Sequence, residues 1–121
     1  MWIDALIRRA QVGGAFALVA RQGDRDSGTV LVAVRSRSGL DLYVPERDMD
    51  GVRVWRAQEV DEATLAEVME RRADFDPDLC VVEIDDPQAR HFIEEPVLRS
   101  GEAPAAQADA AAAARALFRD R

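Results

Sequence analysis

The run Asp74-Phe75-Asp76-Pro77-Asp78 places three carboxylates at the alternate spacing that opens a calcium-binding loop. Such a loop also needs glycine at its sixth position for a sharp turn and a bidentate glutamate at its twelfth. Those positions hold Leu79 and Asp85, and Pro77 stiffens the middle. The same residues read as a helix exit, with Asp76 or Asp78 capping the turn into a strand, so no metal is expected. Cys80 is the one cysteine and His91 the one histidine. Neither an internal disulfide nor a Cys/His zinc cluster can form within one chain. Cys80 alternates with Val82 and Ile84, which predicts a buried thiol rather than a nucleophile served by a base. His91 has no partner visible in the sequence and is expected to be solvated rather than a general base. Glu83 and Asp85 share the other side of that strand, with Asp86 next. Paired carboxylates divide acid and base roles when their surroundings split their pKa values; on an exposed strand face they stay ordinary solvated charges. Ser27, Ser36, Ser38 and Ser100 fall in turns and no G-x-S-x-G occurs. The glycines form no G-x-G-x-x-G, and a Walker loop needs a lysine, of which there is none. No catalytic residue and no cofactor is expected.

Arginine is the one cationic side chain that remains for binding, because every basic residue is Arg. The net charge is −7, unevenly placed: residues 1–37 carry six Arg against three Asp, and residues 38–94 carry six Arg against sixteen acids. An acidic balance disfavours non-specific binding to nucleic acid, which depends on positive charge. Arg21, Arg35 and Arg37 lie at strand ends, with Arg25 in the turn between the strands. If those strands pair as a hairpin, Arg21 and Arg25 sit at one end and Arg35 and Arg37 at the other. An Arg-bearing surface can take an anion or an acidic partner. The plainer reading, which the charge count favours, is that these residues balance the acidic segment within the fold. Trp55, beside Arg53 and Arg56, is either a recognition anchor or core, and core is the reading preferred. Arg21, Arg35, Arg37 and Trp55 are the candidate contact residues.

Residues 2–12 read as an amphipathic helix with Trp2, Ile3, Leu6, Ile7 and Ala10 on one stripe, stopped by Gly13 and Gly14. Strands are predicted over 15–21 and 29–35, joined as a hairpin by the turn residues 22–28. A third strand, 40–44, ends at Pro45; an acidic loop follows, then a fourth strand over 52–56. Residues 61–75 form a second helix with Asp61 as N-cap and Val60 and Leu65 as a hydrophobic staple. Leu65, Val68 and Met69 make its apolar stripe, and Glu67 and Arg71 are spaced to pair outside. Pro77 prevents continuation. Residues 79–84 are the most apolar strand, and 90–93 a short edge strand. The expected fold is α+β, an antiparallel sheet of about five strands in α-β-β-β-β-α-β order with both helices on one face. Residues 1–94 form one domain, and the Ala-rich tail 95–121 is expected to be partly disordered or helical. No run approaches the ~18 apolar residues of a membrane span. Asp4, Arg8 and Arg9 interrupt the only apolar stretch near the start, so a secretory signal is not expected and the cytoplasm is.

Three stretches resemble an uncharacterised alphaproteobacterial family, domain-of-unknown-function family 1491. They are Trp2 to Arg9; Gly14-Ala15-Phe16-Ala17 on through Arg21-Gln22-Gly23-Asp24 to Gly28-Thr29-Val30; and Phe75-Asp76-Pro77-Asp78-Leu79 followed by Val81 to Asp86 and Arg90-His91-Phe92. The last is the most specific. An aromatic often stands in that family where this chain has Cys80, a departure that supports a packing role for the thiol. The resemblance implies a self-contained small bacterial cytoplasmic domain and brings no activity, ligand or catalytic residue.

The expected function is a non-catalytic protein-interaction module, with an Arg-based binder of an anionic ligand or nucleic acid as the alternative. A protein is the expected partner, not a membrane, and an exposed sheet edge could pair with a second copy. A small enzyme using Glu83, Asp85 or His91 would require a pocket on which those side chains converge.

Overall fold

A computed structural model describes residues 2–24 and 28–99. Helix α1, Trp2–Val12, buries Ile3, Leu6 and Ala10. It ends as the two glycines predict: Gly14 takes φ +88°, and the Gly14 and Ala15 N–H groups donate to the carbonyls of Gln11 and Ala10. This is the Schellman pattern, which a residue with a Cβ adopts only at a cost. Strands β1 (Phe16–Arg21), β2 (Val30–Ser36), β3 (Gly39–Arg47) and β4 (Arg53–Val60) follow, then helix α2 (Glu62–Phe75), β5 (Cys80–Asp85) and β6 (Val97–Arg99). Asp61 caps α2 by accepting the Thr64 N–H at 2.7 Å. Val60 and Leu65 share one apolar cluster, as a staple should.

The sheet has six strands in the order β1-β5-β2-β3-β4-β6. It is mixed, not antiparallel: β5 runs parallel to β2, and β6 parallel to β4. The expected β1–β2 hairpin does not form, because β5 lies between the two strands. The cause is burial. β5 hides Cys80, Val82 and Ile84 on one face and Val81 on the other, and a strand apolar on both sides belongs in a sheet's interior. β1 buries only Ala17 fully and so takes the edge.

The helices also do not share a face. Even-numbered β2 residues Val30, Val32 and Val34 cluster with Ile3, Leu6 and Ala10 of α1. Odd-numbered Leu31 and Ala33 cluster with Leu65 of α2. A run such as Val30-Leu31-Val32-Ala33-Val34 is apolar on both sides and needs a cover on each. β4 likewise differs from a simple alternation, with Val54, Trp55 and Ala57 all buried.

β4 runs on to Val60 instead of ending at residue 56, paired along its length with β3. Two further differences from expectation have identifiable reasons. β3 runs through Pro45 to Arg47 instead of stopping there. Pro45 pairs in register with Trp55, whose own N–H points away from β3 to the Pro96 carbonyl at 2.9 Å. The missing N–H of Pro45 therefore faces the β2 side, beyond the last β2–β3 pair, Val32 with Tyr43. Residues 90–93 are not a strand. They belong to a strap that leaves β5, crosses the α1 face and reaches β6, with Ala89 and Phe92 at φ 60° and 61°. The sheet thus continues past residue 94 to Arg99. Tail residues 100–121 lie outside the described residues. No helix among the described residues is long and apolar enough to cross a membrane.

Candidate functional site

The calcium-like carboxylates are engaged with backbone. Asp76 accepts the Thr29 N–H at 2.8 Å through one oxygen and the Asp78 N–H at 3.0 Å through the other. These bonds, the one from Thr29 foremost, hold its carboxyl below the usual range. Around them the segment after β1 interlocks with the segment before β5. The Asp24 N–H donates to the Asp78 carbonyl at 3.1 Å, and the Cys80 N–H to the Thr29 carbonyl at 2.9 Å. The Gly23 N–H points at the Cys80 sulfur, 3.3 Å away. A Cβ on Gly23 or Gly28 would collide with the Asp78 carbonyl. Those glycines let one chain segment pass over another at the mouth of β5. Cys80 is fully buried, as its alternation with Val82 and Ile84 predicts.

The candidate contact residues do not converge. Arg35 is bound by two glutamates: it forks onto Glu62, with Nε–Oε1 at 2.6 Å and a second bond at 2.9 Å, and it also contacts Glu83. Hydrogen bonds from Glu62 first and Glu83 second push its pKa up. Arg21 lies at the opposite end of the sheet, in register with Val81 and not Asp85, where it reaches the Pro77 carbonyl at 3.4 Å. Arg37 is exposed in the turn after β2; Arg25 lies outside the described residues. Trp55 is wholly buried and so is core rather than an anchor for a partner. Its ring stacks on Trp2 with centroids 5.1 Å apart, and its indole N–H donates to Glu95 at 2.8 Å. Arg53 sits over both rings and pairs with the same Glu95.

The acids and the histidine are also placed apart. Glu83 is held by Arg35 on the α2 side of the sheet. His91 is half-buried, not solvated; it lies in the strap against Tyr43, with ring centroids 5.1 Å apart. Its Nδ1 accepts the Ile93 N–H at 2.9 Å. Burial, then Arg99, lowers its pKa, while burial raises that of the fully covered Tyr43. Asp86, expected to be a solvated charge, is 2% exposed. It accepts from the Arg90 backbone N–H and Nε, both at 2.8 Å. Arg90 in turn donates to the Gly13 carbonyl at 2.9 Å, tying the strap to the end of α1. These bonds, the Arg90 side chain first, hold the Asp86 pKa at about 2. The signal was present in the sequence as an acid and an arginine four apart.

Two surface features were not picked out by type and spacing. One is the outer edge of β1, which exposes Phe16 at 62% and Leu18 at 42% and pairs on one side only among the described residues. The other is a cleft of about 560 Å³ beneath the C-terminal half of α2. Val44, Val68, Phe75 and Leu79 supply its apolar lining, and Arg71 and Arg72 its charge. The expected Glu67–Arg71 pair is not formed; neither Arg71 nor Arg72 meets a carboxylate among the described residues. The clue was the Arg-Arg pair closing an amphipathic helix that ends in Phe75.

A family model described as "Protein of unknown function (DUF1491)" matches residues 1–94. The chain is similar to a crystal structure of a DUF1491 family protein from Caulobacter crescentus CB15, at 48% identity and TM-score 0.74, over 80% of this chain and 94% of that one. An NMR structure of a DUF1491 family protein from the same organism gives 46% identity and TM-score 0.73, over 80% and 92%. The solution structure of protein Atu0922 from A. tumefaciens gives 30% identity and TM-score 0.68, over 81% and 92%. No curated protein matches the chain.

Proposed function

From the premise that the chain belongs to the DUF1491 family, we propose that it is a non-catalytic protein-interaction module of the bacterial cytoplasm that takes an extended strand of a partner protein along β1. The observation that carries the reading is the state of that edge. A free edge is a row of unpaired backbone donors and acceptors, and proteins that do not use it blunt it with proline, charge or a covering loop. Residues 16–20 are Phe-Ala-Leu-Val-Ala, with no proline and no charge. Phe16 and Leu18 stand exposed on the side away from buried Ala17. Backbone pairing would give affinity and these side chains selectivity, the usual division in strand addition. The dispersal of Glu83, His91 and Cys80 among separate partners supports a non-catalytic role, and a buried free thiol suits a reducing compartment.

Affinity purification from native lysate with wild type, Leu18→Lys and Ala20→Pro tests this reading. Ala20 is the bulged residue without a register partner on β5, and an unchanged melting profile checks that proline there leaves the inner ladder intact. One stoichiometric partner protein that is lost with both variants, while both keep the wild-type melting profile, is the expected result. Two results overturn it: no partner that depends on β1, or a second copy as the only strand captured, seen as a concentration-dependent dimer in sedimentation.

A further inference from the structure

We propose that the cleft beneath α2 binds a small organic carboxylate with an apolar body, gripped by Arg71 and Arg72. This goes beyond the β1 reading and stands on different residues. The cleft exists because α2 covers only part of its face. Leu65 seats the helix on Leu31, Ala33 and Val81, while Val44 of β3 and Gln58 of β4 are left as a floor beside Val68 and Leu79. Its volume of about 560 Å³ lies within the ~300–1,000 Å³ range of small-molecule sites, which are mostly apolar with a few polar groups that fix orientation.

The sign of the charge follows from which arginines are already paired. Arg9, Arg35, Arg53, Arg56, Arg90 and Arg99 each face a carboxylate. Among the described residues Arg71 and Arg72 form no ion pair, although the chain carries a net charge of −7; Arg8, Arg37 and Arg47 also form none, but they do not line this cleft. The acid that lines the cleft, Asp76, is spent on the Thr29 and Asp78 N–H groups. Glu46, which lines the neighbouring depression that also reaches Arg72, is held by Arg56 at 3.1 Å. Two guanidinium groups over an apolar floor, with the local carboxylates engaged, match a ligand that is anionic at one end and greasy at the other. The anionic-ligand chemistry anticipated for Arg21, Arg35 and Arg37 is thereby located at a different pair.

The test uses the full chain and three probes: octanoate, neutral 1-octanol, and a short acidic peptide without apolar residues. Backbone amide NMR should show octanoate shifting the signals of Val44, Val68 and Leu79. 1-Octanol should bind more weakly at the same place. Arg71→Ala/Arg72→Ala should weaken octanoate by about tenfold or more, the loss expected for a charged hydrogen-bonding pair. Both side chains are exposed, so the fold should survive, and Arg37→Ala should leave binding unchanged. The proposal is overturned if octanoate shifts no signal in the cleft, if its affinity is the same in the double variant, or if only the acidic peptide binds there.

Discussion

The two faces of the sheet are closed by different means. On one, α1 and the strap 86–96 cover the strands. Trp2 stacks on Trp55, His91 packs on Tyr43, and Asp86 ties the strap back through Arg90 to Gly13. Every polar group there that was a candidate for chemistry has an internal partner. On the other face, among the described residues, α2 alone provides cover. It leaves a cleft at one side and the exposed Phe16 and Leu18 of β1 at the other. Titratable and aromatic residues of the sealed face are thus held by internal contacts, and the loosely covered face keeps an open cleft and exposed apolar side chains.

The largest effect expected from this contrast is between two aromatic residues. Trp55→Ala removes a fully buried ring from the sealed face and should cost ~3–5 kcal/mol, as large-to-small core changes do. Phe75→Ser acts on a side chain 87% exposed on the open face and should change stability by no more than ~0.5 kcal/mol. Chemical denaturation of the two variants measures both. Similar losses would break the distinction between the faces. Next in size is the crossing of segments at the mouth of β5. Gly28→Ala drives a methyl into the Asp78 carbonyl, and backbone cannot yield as a flexible side chain can. A cost of ~1–3 kcal/mol is expected from overpacking, read as a fall in denaturation midpoint at unchanged slope. A neutral result would mean that the loop lifts away, and that its contact with Asp76 and Asp78 is dispensable.

The local elements were legible because their signals are local. Asp61 with Leu65, Gly13-Gly14 and the alternation of Cys80, Val82 and Ile84 each report on residues a few positions away. Pairing was misread because it is decided by competition among distant strands. Residues 22–28 look like a hairpin turn, yet Gly23 and Gly28 are there to clear Asp78. The displacing strand, β5, follows more than fifty residues after β1. What could have corrected the reading is the double-sided apolar run from Val30 to Val34, which no single layer of helices can cover. Arg35 and Trp55 stand as their plainer readings have them, a cation balancing the acidic segment and a core aromatic, but their partners Glu62, Glu83 and Trp2 reach them only through the tertiary fold. That Arg71 and Arg72 meet no carboxylate among the described residues, while lining an apolar cleft, is likewise a fact of the tertiary fold alone.

The smallest effect expected is also the sharpest probe of how the sealed face is fastened. Asp86 has a folded pKa of about 2 against an ordinary 3.8. A group whose pKa is depressed by folding stabilises the native state above its unfolded pKa and loses that contribution as pH falls through the folded value. The Asp86 contribution should therefore be intact at neutral pH and fade between about pH 4 and 2. Asp86→Asn cannot titrate and offers Arg90 an amide in place of a carboxylate. It should be less stable than wild type at pH 7 and lose less on acidification, so that the two urea midpoints draw together toward pH 2. Some acid sensitivity should persist in the variant, because Asp61, Glu62 and Asp76 also have lowered pKa values, set by Thr64, Arg35 and Thr29 respectively. Parallel pH profiles for variant and wild type would mean that the strap is held by the packing of His91 and Ile93 and by the bonds of Glu95, without need of the Asp86–Arg90 tie.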